Sequence, residues 1–256
     1  MSGNVHLRRE GPVAHVTFDR PEARNAMTWA MYEQLASICG RIGADSAIRV
    51  ATFRGTGGSF VAGTDIQQFT EFRTGDDGVE YERRMERFLT SLDRLPCPTL
   101  AVVDGWCVGG GLAIAACCDL RIATPAASFG VPIARTLGNC LSMSSYARLV
   151  AEFGIGRVKR MILGGTLLSA AEAREAGFVT EIVEAGSIDD RTAEWVVRLT
   201  RNAPITMRVS KEAIRRVIAS GVLEGDDLIR DCYGSADFHE GVSAFLAKRK
   251  PAWSGR

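Results

Sequence analysis

Asp104-Gly105-Trp106-Cys107-Val108-Gly109-Gly110-Gly111-Leu112-Ala113 is the stretch on which the reading turns. Three consecutive glycines stand directly before Leu112 to Cys118, a short and almost wholly apolar run that reads as a buried helix. Without Cβ atoms a ligand can come close to the backbone N–H groups, and the positive end of the helix adds to their partial charge. A second glycine-containing turn, Gly58-Ser59-Phe60-Val61-Ala62-Gly63-Thr64-Asp65-Ile66, offers a further amide. Two such donors aimed at one point make a site for a developing oxyanion. Taken singly, either run is better explained by close packing. No G-x-G-x-x-G motif accompanies them, so a dinucleotide site is not indicated.

Working outward, Val13 to Phe18 alternates faces as a strand does and ends at Asp19-Arg20-Pro21. Met27, Met31, Leu35, Ile38 and Ile42 recur at steps of three and four and predict a helix ending before Gly43. Arg49 to Phe53 is a second strand. Tyr81, Met85, Phe88, Leu92 and Leu95 form another helical stripe, stopped by Pro96-Cys97-Pro98. Thr99 to Val103 and Leu120 to Ala123 complete an alternation of strands and helices, which is α/β architecture. Beyond residue 140 helices dominate. Ser169-Ala170-Ala171-Glu172 is a capping-box sequence with Gly177 placed to end its helix, and Ser187-Ile188-Asp189-Asp190 starts another in the same style. Pro204 suits a first helical turn, and that helix is predicted to stop at Gly221.

The 256 residues hold 31 basic and 30 acidic side chains, so no bulk charge favours nucleic acid or an anionic membrane. The hydrophobic share of 46% is that of a globular chain able to bury a core. Met1 to Gly11 lacks an apolar stretch of signal-peptide length and no window has the length of a membrane span, which points to the cytoplasm. Seven cysteines without metal-ligand spacing argue against a disulfide framework or a zinc site.

In combination the segments resemble the enoyl-CoA hydratase/isomerase (crotonase) superfamily over about residues 5 to 253. Arg20-Pro21-Glu22-Ala23-Arg24-Asn25-Ala26 is similar to its first CoA-contacting loop, and the two glycine turns to its oxyanion segments. Phe129-Gly130-Val131-Pro132, Ala170 to Ala173 with Gly177-Phe178-Val179, and Glu240 to Pro251 match later landmarks. The resemblance implies a spiral of ββα units over 1–195 and a helical C-terminal trimerisation region over 196–256. It implies an acyl-CoA thioester enzyme, a lyase or isomerase, with coenzyme A as part of the substrate and no permanently bound cofactor or metal. The expected assembly is a homotrimer or dimer of trimers. Carried over by position, the oxyanion donors would be the amides of Ala62 and Gly110, each worth about 3 kcal/mol to the transition state. Ala23, Arg24, Ala62, Asp65 and Ile66 would line the CoA path, with Phe245 and Lys248 approaching it from a C-terminal helix. Asp65 serves equally well as a helix cap.

At the two positions where hydratases of this family carry glutamates, this chain has Ala113 and Ile133, which cannot transfer protons. The stretch Arg135 to Arg148 is unusually polar for a buried wall, and relatives with other chemistries carry a functional aspartate near Asn139 and Cys140. Asn139 is a substrate donor or a turn residue. Cys140 is a nucleophile only if its thiolate is favoured; otherwise it is a structural thiol. Ser142, Ser144 and Ser145 suit a helix cap, and Arg135 is expected beside the acyl pocket, where a guanidinium would meet an acidic acyl group, or equally well facing a neighbouring subunit. Glu71, Glu80, Glu82 and Glu86, on the segment after Asp65, are within reach of the same pocket. Two alternatives follow: a CoA-thioester-binding protein with little catalysis, or a hydrolase or substitution enzyme using Cys140.

Overall fold

The computed structural model describes residues 3–220 and 225–253. Strands β1 (Asn4–Glu10) and β2 (Val13–Asp19) form an antiparallel pair, followed by α1 (Trp29–Ala44), β3 (Val50–Gly55), α2 (Gly75–Asp93) and β4 (Thr99–Val103). Next come β5 (Trp106–Val108), α3 (Gly110–Ala116), β6 (Leu120–Ala123), β7 (Ser128–Gly130), α4 (Ile133–Thr136) and α5 (Met143–Ile162). The remainder is β8 (Leu168–Ser169), α6 (Ala170–Glu175), β9 (Glu181–Ile182), α7 (Ile188–Arg201), α8 (Pro204–Ala219), α9 (Asp226–Tyr233) and α10 (Ala236–Leu246).

One sheet runs β1-β2-β3-β4-β6-β9, parallel from β2 onward, and a smaller one runs β5-β7-β8. The chain steps repeatedly from the large sheet to the small one and back through a helix, which is the expected spiral of ββα units. β4 is buried along its whole length, as a strand covered on both faces must be, and its Thr99 to Val103 run carries no charge. Phe18 and Phe60 meet edge to face at 5.5 Å, closing the core under the first glycine turn.

Sequence signals account for most helix starts. Thr28 caps α1 by accepting from the Met31 amide, Ser142 caps α5 by accepting from Ser145, and Ser169 with Glu172 completes the predicted capping box. Ser187 does not repeat it: α7 begins after a 3-10 turn that already bends the chain, and no side-chain cap bond forms. Pro204 stands at the first position of α8. The predicted stop at Gly221 lies outside the described residues.

The division at residue 195 falls inside α7, so no linker occurs there. α9 and α10 return to the core, with Tyr233 and Phe238 fully buried against Phe72 of the segment before α2. Among the described residues no helix is long and apolar enough to cross a membrane.

Candidate active site

The two glycine turns meet at a cavity of about 180 Å³. Its wall is mainly apolar, with Ile66, Phe69, Met85, Leu89, Val131, Ile133 and Leu137, and Phe245 of α10 stands at its rim, about half exposed. That volume is below the common range for drug-sized ligands and suits a short chain. A larger cavity of about 680 Å³ lies between α2, α5 and α8. Several of its charged groups are paired, Arg148 with Glu86 at 3.2 Å and Lys211 with Asp119 at 2.6 Å, and no glycine stands among the described residues of its wall. The smaller cavity is the one that brings both glycine turns together.

One wall presents backbone. The Gly63 carbonyl accepts from the Met27 amide and the Asp65 amide donates to the Met27 carbonyl, both at 2.9 Å. In such a parallel bridge the intervening residue points its own N–H the other way, so the Thr64 amide points away from Met27, and Thr64 and Gly110 both line the cavity. Gly63 makes this turn with a φ of 103°, a left-handed value that favours glycine. Gly110 is the first residue of α3, where a helix leaves its amides without intrahelical partners. Among the described residues no hydrogen bond is recorded for the amide of Thr64 or of Gly110. A Cβ on Gly110 would lie 2.4 Å from Tyr32 Oη and 2.9 Å from Thr64 Oγ1, which shows how closely these groups converge.

The Ala62 amide, by contrast, donates to the Arg24 carbonyl at 3.0 Å. It is engaged in holding the loop of Arg20 to Ala26 against the first glycine turn. The assignment of Ala62 as an oxyanion donor is therefore corrected: it lines the cavity, but its N–H is taken.

The opposite wall presents one carboxyl. Among the described residues Glu82 of α2 is the sole acidic residue lining the cavity, and it is buried. Its Oε1 accepts from Tyr233 Oη at 2.8 Å and its Oε2 from the Ser142 amide at 2.9 Å. Burial pushes its acid constant up to about 7, although both hydrogen bonds favour the ionised form; Glu86, one turn on, adds a smaller upward push. Asn139 Nδ2 donates to Tyr233 Oη at 3.2 Å, so Asn139, Tyr233 and Glu82 form a chain, and Asn139 Oδ1 is buried with no hydrogen-bond partner. Tyr32 Oη lies 2.9 Å from Thr64 Oγ1, to which Tyr81 Oη donates at 3.4 Å. Burial raises all three phenols, Tyr32, Tyr81 and Tyr233, so they stay protonated at neutral pH.

With the geometry in place, the comparisons with known proteins decide the family. A family model described as enoyl-CoA hydratase/isomerase matches residues 8–256. The chain belongs to the enoyl-CoA hydratase/isomerase family. It is 32% identical over 252 residues to a short-chain-enoyl-CoA hydratase of Clostridium acetobutylicum, covering 96% of each chain. It is 28% identical to a 2,3-dehydroadipyl-CoA hydratase of Escherichia coli over 98% of each. Among solved structures, a methylmalonyl-CoA decarboxylase bound to 2-nitronate-propionyl-CoA superposes with a TM-score of 0.90 at 25% identity, covering 99% of each chain. An enoyl-CoA hydratase/carnithine racemase from Magnetospirillum magneticum superposes with a TM-score of 0.80 at 32% identity, covering 98% of this chain and 96% of that one. The fold is that of the crotonase superfamily.

For this family member, Ala113 and Ile133 do stand on the cavity wall where the glutamates were expected, and both are apolar. Cys140 does not line the cavity. A hydrogen bond with Cys232 and burial push its thiol far above the usual range, so it is not a thiolate nucleophile, and the Cys140 route is withdrawn. Arg135 is exposed and packs beside Gly165 rather than in the acyl pocket. Asp65 caps the 3-10 turn Ile66–Phe69 by accepting from the Gln67 amide at 3.1 Å, and it pairs with Arg20 at 2.8 Å. Ala23 is half-buried, while Arg24 and Lys248 are exposed in left-handed backbone, the Arg24 guanidinium 5.2 Å from the Trp106 ring centre.

Of the four candidate glutamates, Glu71 and Glu80 are exposed and Glu86 is tied to Arg148; Glu82 reaches the cavity. A signal for it exists, because Glu82 lies three residues before Met85 and seven before Leu89, on the apolar face of α2. Tyr233 had no local signal. Among the described residues no cluster of His, Cys, Asp and Glu could hold a metal ion.

Proposed function

We propose that this chain acts on short acyl-CoA thioesters and stabilises an enolate-like oxygen between the amides of Thr64 and Gly110, as a lyase or isomerase of its family. The observation that carries this reading is the pair of unengaged amides facing an apolar cavity of acyl size. Preorganised donors in a water-poor site stabilise charge that develops in the transition state more than they stabilise the ground state. The CoA moiety is assigned to the surface of Ala23, Arg24, Ala62, Asp65 and Ile66, with Phe245 and Lys248 closing over it. The proposed trimer is supported by the exposed apolar residues Ile205, Val209 and Val217 on α8.

The similarity to a methylmalonyl-CoA decarboxylase raises decarboxylation as another route to an enolate. An acidic acyl group would bring a second carboxylate against buried Glu82, and no cation is recorded beside Glu82 to offset either charge. The acyl group is therefore assigned as uncharged.

The test is a panel of crotonyl-CoA, 3-butenoyl-CoA, methylmalonyl-CoA and longer, branched and aromatic acyl-CoAs, followed by enoyl absorbance and by released thiol. Turnover of the short uncharged members without thiol release is expected. Tight binding with no turnover anywhere in the panel would favour a CoA-thioester-binding role, and no binding at all would end the reading.

A further inference from the structure

We infer that Glu82 is the proton-transfer group of this site, replacing the two absent glutamates from the opposite side of the cavity, with Tyr233 and Asn139 positioning it. The inference rests on the reading of the cavity as an acyl-CoA site and deepens it.

Three observations converge. Among the described residues Glu82 is the sole acidic residue lining the cavity of about 180 Å³ that Thr64 and Gly110 also line. Each carboxylate oxygen has one recorded partner, Tyr233 Oη or the Ser142 amide, so each keeps a lone pair for a substrate proton. The side chain is anchored from two other elements, α9 and the start of α5, as a group that must present one orbital to one carbon has to be. Glu86, four residues on, has the same functional group but faces Arg148 and Thr90.

Among the described residues, the charged and titratable groups around Glu82 are the phenols of Tyr233, Tyr81, Tyr146 and Tyr32, the thiols of Cys140 and Cys232, and the Glu86 carboxylate. With none of these cationic at neutral pH, desolvation dominates and brings the carboxyl to about 7, where it can both accept and return a proton.

The step balances without a co-reactant. The Glu82 carboxylate takes a proton from the carbon next to the thioester carbonyl. The C–H electron pair moves into a new carbon–carbon double bond, and the carbonyl pair moves onto the oxygen held by the Thr64 and Gly110 amides. Collapse of that enolate re-forms the carbonyl: the pair either returns to the second carbon, which takes the proton back from the Glu82 carboxyl, or, where a double bond joins the third and fourth carbons, becomes the new bond between the second and third carbons while the old double-bond pair takes the proton at the fourth. One carboxyl suffices for such a proton shift, whereas adding water across a double bond calls for a second group to hold the water.

The experiment is 3-butenoyl-CoA with the full-length protein in D2O, following conversion to crotonyl-CoA and deuterium incorporation by mass spectrometry. The expected results are proton shift in the unmodified protein, a pH profile rising through about 7, and a loss on the order of 10²-fold or more in Glu82→Gln with butyryl-CoA affinity kept. Should Glu82→Gln fail to fold, the pH profile of the unmodified protein decides alone: a rate flat from pH 5 to 9 would overturn the inference. Retention of the full rate in folded Glu82→Gln would overturn Glu82 while leaving the acyl-CoA reading standing. Failure of the unmodified protein to bind butyryl-CoA would remove both.

Discussion

The two walls of the cavity differ in how their chemistry is encoded. The amide wall is made of backbone: the roles proposed for Thr64 and Gly110 depend on the conformation of two glycine turns, while the Thr64 hydroxyl is tied to Tyr32 and Tyr81. The carboxyl wall is made of side chains drawn from α2, α9 and the loop before α5. Backbone chemistry is fixed by the path of the chain and persists as long as the fold does. Side-chain chemistry is portable, because any element passing the cavity can supply a carboxyl. Ala113 and Ile133 show the consequence, since the wall that holds glutamates in hydratases of the family is here plain hydrocarbon while α2 supplies the acid group.

If the amide wall depends on backbone position alone, a change of one methyl group should damage it most. Gly110→Ala puts a Cβ against the Tyr32 phenol at 2.4 Å, deep in a buried site where the ring cannot retreat. The amide must shift to make room, and turnover of short acyl-CoAs should fall on the order of 10²-fold or more. Steady-state kinetics on protein with an unchanged circular dichroism spectrum would show it, and near-normal kcat would break the distinction between the walls.

The carboxyl wall should reveal itself in stability. Glu82 has its acid constant raised from 4.5 to about 7, so the folded state holds a proton that the unfolded state releases between those values. Stability from this group is therefore fully present below about 4.5 and is lost as pH rises to about 7. The loss amounts to about 3 kcal/mol at most. Glu82→Gln carries no such charge, so its stability relative to the unmodified protein should climb across that window and then level off. Urea melts at pH 5 and pH 8 measure the difference; equal differences at both would mean that Glu82 is ionised and compensated at neutral pH.

The same contrast governs what could be read from the sequence. The glycine turns and strands such as Thr99 to Val103 are written locally, in residues that are adjacent in the chain, and they are where predicted. β1 was missed because its Asn4 to Glu10 run is mostly polar and exposed at the sheet edge, with Val5 its one buried residue. β5 and β7 have three residues each, too few to show a period. The Ala62 amide is engaged by the Arg24 carbonyl, and the proposed donor is Thr64, two residues on, because the bridge to Met27 decides which amides are engaged and that pairing spans 37 residues. Glu82 was one of four candidates, and singling it out required knowing that α9 returns to place Tyr233 beside it.

That returning contact gives the smallest and most specific effect. Tyr233 Oη donates to Glu82 Oε1, which favours the carboxylate, and Tyr233→Phe removes this donor while the ring keeps its packing against Phe238 and Phe72. The Glu82 acid constant should then rise further, on the order of half to one pH unit for a hydrogen bond of about 1 kcal/mol. At pH 7 turnover should drop roughly twofold to fivefold, and raising the pH should restore most of it, because the base is displaced in its titration rather than lost. A purely structural Tyr233 would lower the rate equally at every pH. An unmoved midpoint in the pH–rate profile of Tyr233→Phe would therefore separate Tyr233 from the chemistry and leave Glu82 to act on the Ser142 amide alone.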